Sequence, residues 1–289
     1  MSNTGGSPVA IVTGASRGIG RAGALALAEA GFDVVVSART VREGEGRAEP
    51  NSVREDLTLA VPGSLERTAQ EVEERGQRAL IVPMDLIDAA SVTALPARVM
   101  DEWGRIDVLF NNAIFRGVGT LDRIADLTVE SMTNLMAGNF MHQILLIQQV
   151  LPHMVAAGGG TIVDMVSGSA RLDPIAPPGE GGWGILYSAS KAAFGRVAGG
   201  INAEYRSKGV RAFNVDPGNV VTEARKAIKP DDEYGDNYGS EPAEATGEVV
   251  AWLATHAEAD RFLGKWIFAP KLCSDLGLLP GWEFTTPGA

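Results

Sequence analysis

The sequence predicts one α/β domain built on a doubly wound, Rossmann-type parallel sheet with helices on both faces. Seven short apolar runs recur along the 289 residues, and helical stretches alternate with them. Near-continuous apolar strands indicate a parallel sheet covered on both faces, because the helical crossovers between parallel strands pack on each face. A glycine-rich turn after the first run is typical of a nucleotide-binding sheet. The predicted strands are 9–12, 33–36, 79–82, 106–110, 161–166, 210–215 and 266–268.

Helical patterns occupy most of the chain between these strands. The best-defined stretches are 21–30, 65–75, 89–102 and 132–155. Pro96 lies inside the third stretch and is expected to kink that helix or to mark its true start, since proline cannot donate a helical hydrogen bond. The fourth stretch contains no acidic, lysine or arginine side chain. Its amide side chains would be costly in a bilayer, so burial against protein on more than one face is expected instead.

Three segments fit neither pattern and are predicted to be insertions or extensions of the domain. Residues 41–63 are rich in glycine, proline and charge, which favours a solvated flap near the adenosine end of the site. Residues 172–184 carry three prolines and four glycines, so they are predicted to form a loop over the active site or a surface excursion in which Trp183 packs on the domain. Residues 270–289 extend past the last strand and are expected to close a pocket or to pack at a subunit contact.

Composition argues against several classes of function. The net charge of −11 argues against nucleic acid as a partner, because phosphate binding relies on an excess of lysine and arginine. Cys273 is the only cysteine, which excludes an internal disulfide and fits a reducing cytoplasm. The three histidines lack the spacing of metal ligands, so no metal site is predicted. Residues 1–8 lack the regions of a signal peptide, so a cytoplasmic protein without a membrane span is expected.

A glycine-rich turn follows the first apolar run and leads into a helical stretch. Gly14, Gly18 and Gly20 let the backbone turn tightly and approach a pyrophosphate, which then lies at the N-terminus of the following helix. An ordinary strand-to-helix turn has a similar pattern, so the turn alone is weak evidence for a nucleotide site.

Tyr187 and Lys191 are four residues apart in a predicted helix, so their side chains share one face. A free tyrosine is almost fully protonated at neutral pH, and a nearby ammonium favours its phenolate. The pair is therefore a candidate for proton transfer, with Tyr187 as the general acid/base. The alternative is a tyrosine that anchors the helix beside a solvated lysine.

These two motifs, with the intervening residues in the same order, resemble the short-chain dehydrogenase/reductase family over about residues 8–269. Ile114 and Asp216 depart from the pattern, since the family has glycine and asparagine at those places. The resemblance implies a cofactor site formed by Gly14, Ser16, Arg17, Gly18, Ile19, Gly20, Arg39, Asp85, Leu86, Asn112, Ala113, Tyr187, Lys191, Pro217, Gly218, Val220 and Thr222.

The same resemblance implies a catalytic set. Its members are Tyr187, Lys191, Ser167 and Asn139. Lys191 would favour the phenolate of Tyr187 and hold the nicotinamide ribose. Ser167 would orient the carbonyl oxygen, with Ser169 as the alternative serine, and Asn139 would support a proton relay, with Asn134 as the alternative asparagine.

Charges after the second strand indicate which cofactor is bound. Ala38 stands where an acid would bind a free ribose 2′-hydroxyl, and Arg39 follows directly. Arg17 in the glycine loop adds a second positive charge. Because a pair of arginines suits a 2′-phosphate, NADP is predicted in preference to NAD.

The predicted function is reversible hydride transfer between NADP(H) and a secondary alcohol or ketone. A non-catalytic NADP-binding sensor or scaffold, and a dehydratase or epimerase on the same fold, remain alternatives. The substrate is not identified, although the charged segment 223–241, with Tyr234 and Tyr238, is expected to cover it.

Subunit contacts are also expected from the resemblance. In the family, the helix within 132–155 and the helix carrying Tyr187 usually form them. Small residues between 192 and 200 permit close helix packing, so a homodimer or homotetramer is predicted.

Overall fold

A seven-stranded parallel sheet forms the centre of the structure, a computed structural model that describes residues 6–48, 59–228 and 240–285. The order is β3-β2-β1-β4-β5-β6-β7, and all neighbouring strands pair in parallel. The predicted doubly wound parallel sheet is therefore confirmed. The strands are β1 (Val9–Thr13), β2 (Asp33–Ser37), β3 (Ala79–Ile81), β4 (Val108–Asn111), β5 (Gly160–Met165), β6 (Val210–Asp216) and β7 (Trp266–Phe268).

Helices alternate with these strands in the described residues. They are α1 (Gly18–Glu29), α2 (Leu65–Glu73), α3 (Ala89–Trp103), α4 (Val129–Met136), α5 (His142–Ala156), α6 (Ile185–Phe194), α7 (Val197–Tyr205), α8 (Glu223–Ile228), α9 (Ala243–Thr255) and α10 (Ala269–Leu276). The stretch expected to be one helix over 132–155 is divided by a π-turn at Ala137–Met141, which joins α4 to α5. A 3-10 turn, Gly168–Ala170, follows β5.

Helix α3 continues through Pro96, so the expectation that this proline marks the start of the helix is wrong. The Asp88 side chain accepts a hydrogen bond from Ala90 N (2.9 Å) and caps the helix well before the proline. Because proline has no backbone N–H, α3 lacks the hydrogen bond that residue 96 would otherwise donate to the carbonyl one turn earlier. The ring is buried together with Leu95 and Val99, so packing on the sheet holds the helix in place at this point.

The core lies in two layers because successive strand residues point to opposite faces of the sheet. Phe110 and Val163 pack with residues of α1, α2, α9 and α10 on one face. Leu109 and Ile162 pack with residues of α3, α5, α6 and α7 on the other face. The inner strands are therefore buried on both faces, which explains why they appear in the sequence as continuous apolar runs, while the edge strands β3 and β7 are partly exposed.

The strand order reverses between β1 and β4, and this reversal positions the site. β1 pairs with β2 on one side and with β4 on the other, so the chain leaves their carboxyl ends in opposite directions and a crevice forms between the loops. Thr13 ends β1, and its hydroxyl accepts hydrogen bonds from Asn112 N and Ala113 N (both 3.0 Å). These bonds tie the loop after β4 to the start of the glycine loop.

The flap predicted over 41–63 is described only at its two ends, since residues 49–58 lie outside the described residues. Ala48 N donates to Leu59 O (2.9 Å) and Val61 N donates to Gly46 O (3.0 Å), so the ends pair with each other. Ala48 and Val61 are buried, with Ala224 of α8 packed against them. A few residues at the ends of the flap therefore pack on α8, while most of its described residues are exposed.

The C-terminal extension folds back on its own chain as far as it is described. Helix α10 begins the segment, and the ring of Phe284 packs edge-on against Phe268 at 5.3 Å. Trp282 packs against the core on the face of the sheet that α1 covers. Residues 286–289 lie outside the described part, as do Tyr234 and Tyr238.

Exposed apolar side chains occur along α4 and the turns beside it: Ile124, Val129, Met132 and Met141. An apolar surface of this kind is compatible with a subunit contact, and the homodimer or homotetramer stays a prediction. Among the helices of the described ranges, none has both the length and the apolar character that crossing a bilayer requires.

Candidate active site

The glycine loop joins β1 to α1 in a conformation that requires glycine. Gly14 and Gly18 have φ values of 69° and 54°, in the left-handed region that favours glycine. A Cβ on Gly20 would lie 2.1 Å from Gly14 O, so the backbone approaches itself too closely for any side chain. Ser16, which is buried, and Ile19 complete the predicted loop.

Asn112 holds the glycine loop in this shape. Its side-chain amide donates to Thr13 O (2.9 Å) and to Gly14 O (3.4 Å). Ala113 O in turn accepts a hydrogen bond from Gln143 Nε2 of α5 (2.8 Å). Asn112 and Ala113 therefore lie beside the loop as predicted, and the amide of Asn112 is committed to the loop backbone.

A carboxylate already lies at the N-terminus of α1. Gly18 N donates to Glu223 Oε2 (2.9 Å), and a Cβ on Gly18 would lie 2.9 Å from Thr222 Cγ2. The unpaired N–H groups and the dipole of a helix N-terminus favour an anion. Glu223 is therefore a stand-in for the pyrophosphate of a dinucleotide, and the loop fits such a cofactor once the Glu223 side chain moves away.

Arg17 lies under the flap and beside Arg39. Its guanidinium donates to Pro62 O (2.8 Å), to Gly63 O (2.9 Å) and to Thr40 Oγ1 (3.2 Å). Burial lowers the pKa of Arg17, and the nearby charge of Arg39 acts in the same direction. The structure therefore brings the predicted arginine pair together, with Arg17 held by the flap.

Two predicted cofactor residues, Asp85 and Leu86, follow β3. Asp85 Oδ1 accepts a hydrogen bond from Ile87 N (3.0 Å), and Asp85 N donates to Ser91 Oγ (2.9 Å). Leu86 O lies 2.5 Å from Nδ1 of His142, the first residue of α5. This loop is therefore rigidly held against α3 and α5 at the carboxyl end of the sheet.

Four predicted cofactor residues follow β6: Pro217, Gly218, Val220 and Thr222. Asp216 accepts a hydrogen bond from Gly218 N (3.1 Å), and a Cβ on Gly168 would lie 3.2 Å from Asp216 Oδ2, so its carboxylate lies between the loops after β5 and β6. Val220 pairs with Glu241, whose Oε2 accepts a bond from Asn219 N (2.7 Å). The segment then reaches the glycine loop, where Thr222 approaches Gly18.

Helix α6 carries both Tyr187 and Lys191. Lys191 is buried, and its Nζ donates to Met165 O (2.7 Å) at the end of β5. Burial, together with the charge of Arg116, lowers the pKa of Lys191 to about 8, although Asp164 and Asp216 act in the opposite direction. Helix α6 therefore brings an ammonium to the carboxyl end of β5, one turn from Tyr187.

Ser167 and Ser169 lie together in the turn after β5. Ser169 donates to Ser167 Oγ from its hydroxyl (3.0 Å) and from its backbone N (3.3 Å). The turn Gly168–Ala170 packs against α6. The two hydroxyls bond each other, so Ser167 and Ser169 both stay candidates for the serine that orients the substrate oxygen.

Asn139 lies in the π-turn between α4 and α5, and that turn also packs against α6. Its Oδ1 accepts a hydrogen bond from Phe115 N (2.7 Å), and its Nδ2 donates to Phe115 O (3.2 Å). The amide therefore holds the loop after β4, which contains Ile114. The proton-relay role of Asn139 stays a prediction, and Asn134 lies in α4, outside the π-turn.

The insertion 172–184 is held against the loop that precedes α4. Arg123 and Glu180 form an ion pair (2.5 Å), and a Cβ on Gly184 would lie 2.3 Å from Thr120 O. Trp183 is half-buried, and its Nε1 is a buried donor without a partner among the described residues. The ion pair fits a packed surface excursion and the unpaired indole N–H fits a ligand contact, so both alternatives remain.

Two carboxyl groups of the site escaped prediction from the sequence. Asp164 lies on β5 near Lys191, and Glu223 lies at the glycine loop. Asp164 interrupts the apolar run 161–166, and a charge inside a strand buried on both faces is a signal that could have identified it. Glu223 has no such signal, because its contact with Gly18 joins residues 205 positions apart.

A comparison with protein families decides the identity of this arrangement. The family model for short chain dehydrogenase matches residues 8–62 and 57–233, which is more than half of the chain. The chain belongs to the short-chain dehydrogenase/reductase family. It is therefore an NAD(P)-dependent oxidoreductase.

Related short-chain dehydrogenase/reductase proteins differ in their cofactor. The oxidoreductase UcpA of Salmonella typhimurium is 31% identical over 261 residues, covering 85% of this chain and 87% of UcpA. A Mycobacterium tuberculosis protein named an NAD-dependent oxidoreductase is 32% identical over 225 residues, covering 77% of this chain and 76% of that protein. A metagenomic short-chain oxidoreductase in complex with NADP is 27% identical with a TM-score of 0.67, covering 90% of this chain and 96% of that one.

Proposed function

We propose that the protein transfers a hydride reversibly between NADP(H) and a secondary alcohol or ketone. The observation that carries this proposal is that α6 both carries Lys191 and packs against the turn after β5. Lys191 donates to Met165 O at the end of β5, and the turn that carries Ser167 packs on the same helix. These contacts support a site at the carboxyl ends of the central strands, where sheets of this kind bind their ligands, with Tyr187 one helical turn from Lys191.

Each side chain of this set has a distinct role in the proposed reaction. The nicotinamide, when bound, supplies or accepts the hydride. Tyr187 takes the hydroxyl proton during alcohol oxidation and returns it to the carbonyl oxygen during ketone reduction. The positive charge of Lys191 stabilises the phenolate of Tyr187, and Ser167 donates its proton to the substrate oxygen. Asn139 holds the loop after β4 against this group.

The preference for NADP is supported by charge. The residue after β2 is Ala38, which has no carboxylate to bind a free ribose 2′-hydroxyl. The next residue, Arg39, is near enough for its charge to act on Arg17. Each charge-assisted hydrogen bond from an arginine to a 2′-phosphate contributes about 1.5–3 kcal/mol. The relatives include one named NAD-dependent and one in complex with NADP, so the residues of this chain carry the argument.

The proposed activity is tested by incubating the purified protein with NADPH and a panel of ketones, or with NADP and the matching secondary alcohols. We expect consumption of NADPH together with formation of the corresponding alcohol. Binding of NADPH with no hydride exchange across the panel would favour a sensor or scaffold. Product formation without net change in the cofactor would favour a dehydratase or epimerase.

The substitution Glu223→Gln is expected to tighten NADPH binding by about two- to fivefold. The carboxylate competes with the pyrophosphate for the N-terminus of α1, where a charge is worth about 0.3–1 kcal/mol. The same change should lower the melting temperature of the protein without cofactor, because Gly18 N then bonds a neutral acceptor. NADPH fluorescence gives the dissociation constant.

The control for this prediction is Glu244→Gln, which removes the same charge from an exposed position in the first turn of α9. It should change NADPH binding little. Weaker binding by the Glu223 variant alone would show that the carboxylate supports the cofactor, and the competition argument would then be wrong.

A further inference from the structure

Three polar side chains form a row across the centre of the sheet beneath the proposed site. Asn111 of β4, Asp164 of β5 and Asn214 of β6 are direct register partners. They follow Leu109, Ile162 and Ala212, which belong to the core layer under α5 and α6, by two positions on each strand. Side chains two apart share a face, so the row faces α6. All three residues are buried, and Asp164 has no exposed surface.

The hydrogen bonds of this row leave Asp164 poorly satisfied. Asn111 Nδ2 donates to Asp164 Oδ1 (2.9 Å), while Asn214 Nδ2 turns to Gly195 O (2.7 Å). Asp164 Oδ2 is buried with no hydrogen-bond partner among the described residues. A buried carboxylate with one hydrogen bond is costly unless an opposite charge lies nearby.

Lys191 supplies that opposite charge. Its Nζ is bound to the carbonyl of Met165, the residue that follows Asp164, and the ammonium is itself buried. Burial raises the pKa of Asp164 to about 7, and the attraction to Lys191 opposes this rise. Burial also lowers the pKa of Lys191, to about 8, so for both groups burial opposes the charged form and an opposite charge nearby favours it.

Other charges reach Lys191 but are balanced differently. Asp216, after β6, accepts a hydrogen bond from Gly218 N (3.1 Å), and the guanidinium of Arg171 also lies near it. Arg116, in the loop after β4, repels the ammonium. Asp164 differs from Asp216 in having a buried oxygen without a hydrogen-bond partner among the described residues, so it has the greater need of the Lys191 charge.

We propose that Asp164 is a positioning residue, the buried countercharge that keeps Lys191 an ammonium one turn from Tyr187. The proposal rests on the buried row that faces α6, on the Asp164 oxygen that has no hydrogen-bond partner among the described residues, and on the Lys191 ammonium bound at the next residue of β5. Its consequence for catalysis rests on the proposed function, in which the positive charge of Lys191 stabilises the phenolate of Tyr187.

The pairing is tested first without cofactor or substrate, by urea unfolding of the wild type and of Asp164→Asn between pH 5 and 9. A carboxyl whose pKa is raised by folding contributes stability that is present below the unfolded value and is lost as pH rises through about 7. The advantage of the variant over the wild type should therefore grow between pH 5 and about 7 and level off above it.

Repeating this comparison in a Lys191→Met background measures the coupling. Without the ammonium, Asp164 should stay protonated to higher pH. The pH at which the stability difference between the Asp164→Asn variant and its parent levels off should therefore move upward by about one unit or more. An unchanged levelling-off point would overturn the pairing.

The catalytic consequence is read from the pH dependence of kcat/KM for alcohol oxidation. Loss of the Asp164 carboxylate lowers the pKa of Lys191. In Asp164→Asn the alkaline limb of the kcat/KM profile should therefore move to lower pH by about one unit. The control Asn214→Ala disturbs the same buried row without removing a charge, and it should lower the rate without moving the limb.

An alkaline limb unmoved in Asp164→Asn would refute the positioning role. A protein that oxidises no alcohol would refute the proposed function, while the unfolding experiment would still decide the pairing.

Discussion

Replacing Tyr187 with phenylalanine is expected to lower turnover by about two to four orders of magnitude while NADPH binding changes little. The substitution removes the hydroxyl that exchanges a proton with the substrate oxygen, and general acid/base catalysis contributes about this much to a reaction rate. The ring itself is retained, so the packing of α6 on the turn after β5 should persist. The lysine that approaches β5, and the glycine loop that would hold the cofactor, are untouched by the change.

Turnover is measured with the best substrate from the alcohol and ketone panel, and NADPH binding is measured by fluorescence on the same preparation. Tyr205→Phe is a matched control, because it makes the same change at the end of the neighbouring helix α7. The control should retain its activity. Comparable turnover in the Tyr187 and Tyr205 variants would refute the acid/base role, and loss of NADPH binding in the Tyr187 variant alone would assign that residue to the cofactor site.

The sheet could be predicted from the sequence because its signals are local. Every strand of a parallel sheet buried on both faces must be apolar throughout, and each predicted run overlaps a strand of the structure. The ends of elements were less predictable. Strand β4 begins at Val108, later than predicted, because the Asp107 carboxylate accepts a hydrogen bond from Val9 N (2.7 Å) and is paired with Arg105.

The glycine loop was also predictable, because its residues satisfy a local backbone requirement. Positive φ values at Gly14 and Gly18 and the close approach at Gly20 are consequences of a single short turn. The same holds for Tyr187 and Lys191, whose spacing on one helix face depends only on helical geometry.

Contacts between distant segments could not be predicted, and they determine how the site is held together. The Asn139 amide binds the backbone at Phe115, although the sequence suggests a role in proton relay. Arg17 is enclosed by carbonyl groups of the flap, and Glu223 occupies the N-terminus of α1. In each case a polar side chain contacts a residue that is distant in the sequence and close only in the folded protein. No local sequence pattern predicts such a contact.

The flap and α8 together suggest how the cofactor would be enclosed. The ends of the flap bind Arg17 on one side of the glycine loop and pack on Ala224 of α8 on the other. Glu223, the first residue of α8, faces the same loop. The Glu223 carboxylate and the flap ends that bind Arg17 therefore meet at the same glycine loop.

Replacing Arg39 with alanine is expected to weaken NADP binding by about ten- to a hundredfold and to leave NAD binding largely unchanged. One charge-assisted hydrogen bond to a 2′-phosphate contributes about 1.5–3 kcal/mol, and NAD has no phosphate at that position. Arg17 is held by Pro62 O and Gly63 O, so it can compensate for the lost charge only in part. Dissociation constants for both cofactors, at one ionic strength, give the specificity ratio.

A matched control separates this contact from the general field of positive charge. Arg42→Ala removes an equal charge from an exposed flap residue that pairs with Glu66 (3.6 Å), and it should change both cofactor affinities alike and by little. If Arg39→Ala weakened NAD and NADP equally, the arginine would act on the adenosine or the pyrophosphate. The NADP preference would then lose its physical basis, whereas the assignment of Tyr187 and Lys191 would stand, because those residues act at the other end of the dinucleotide.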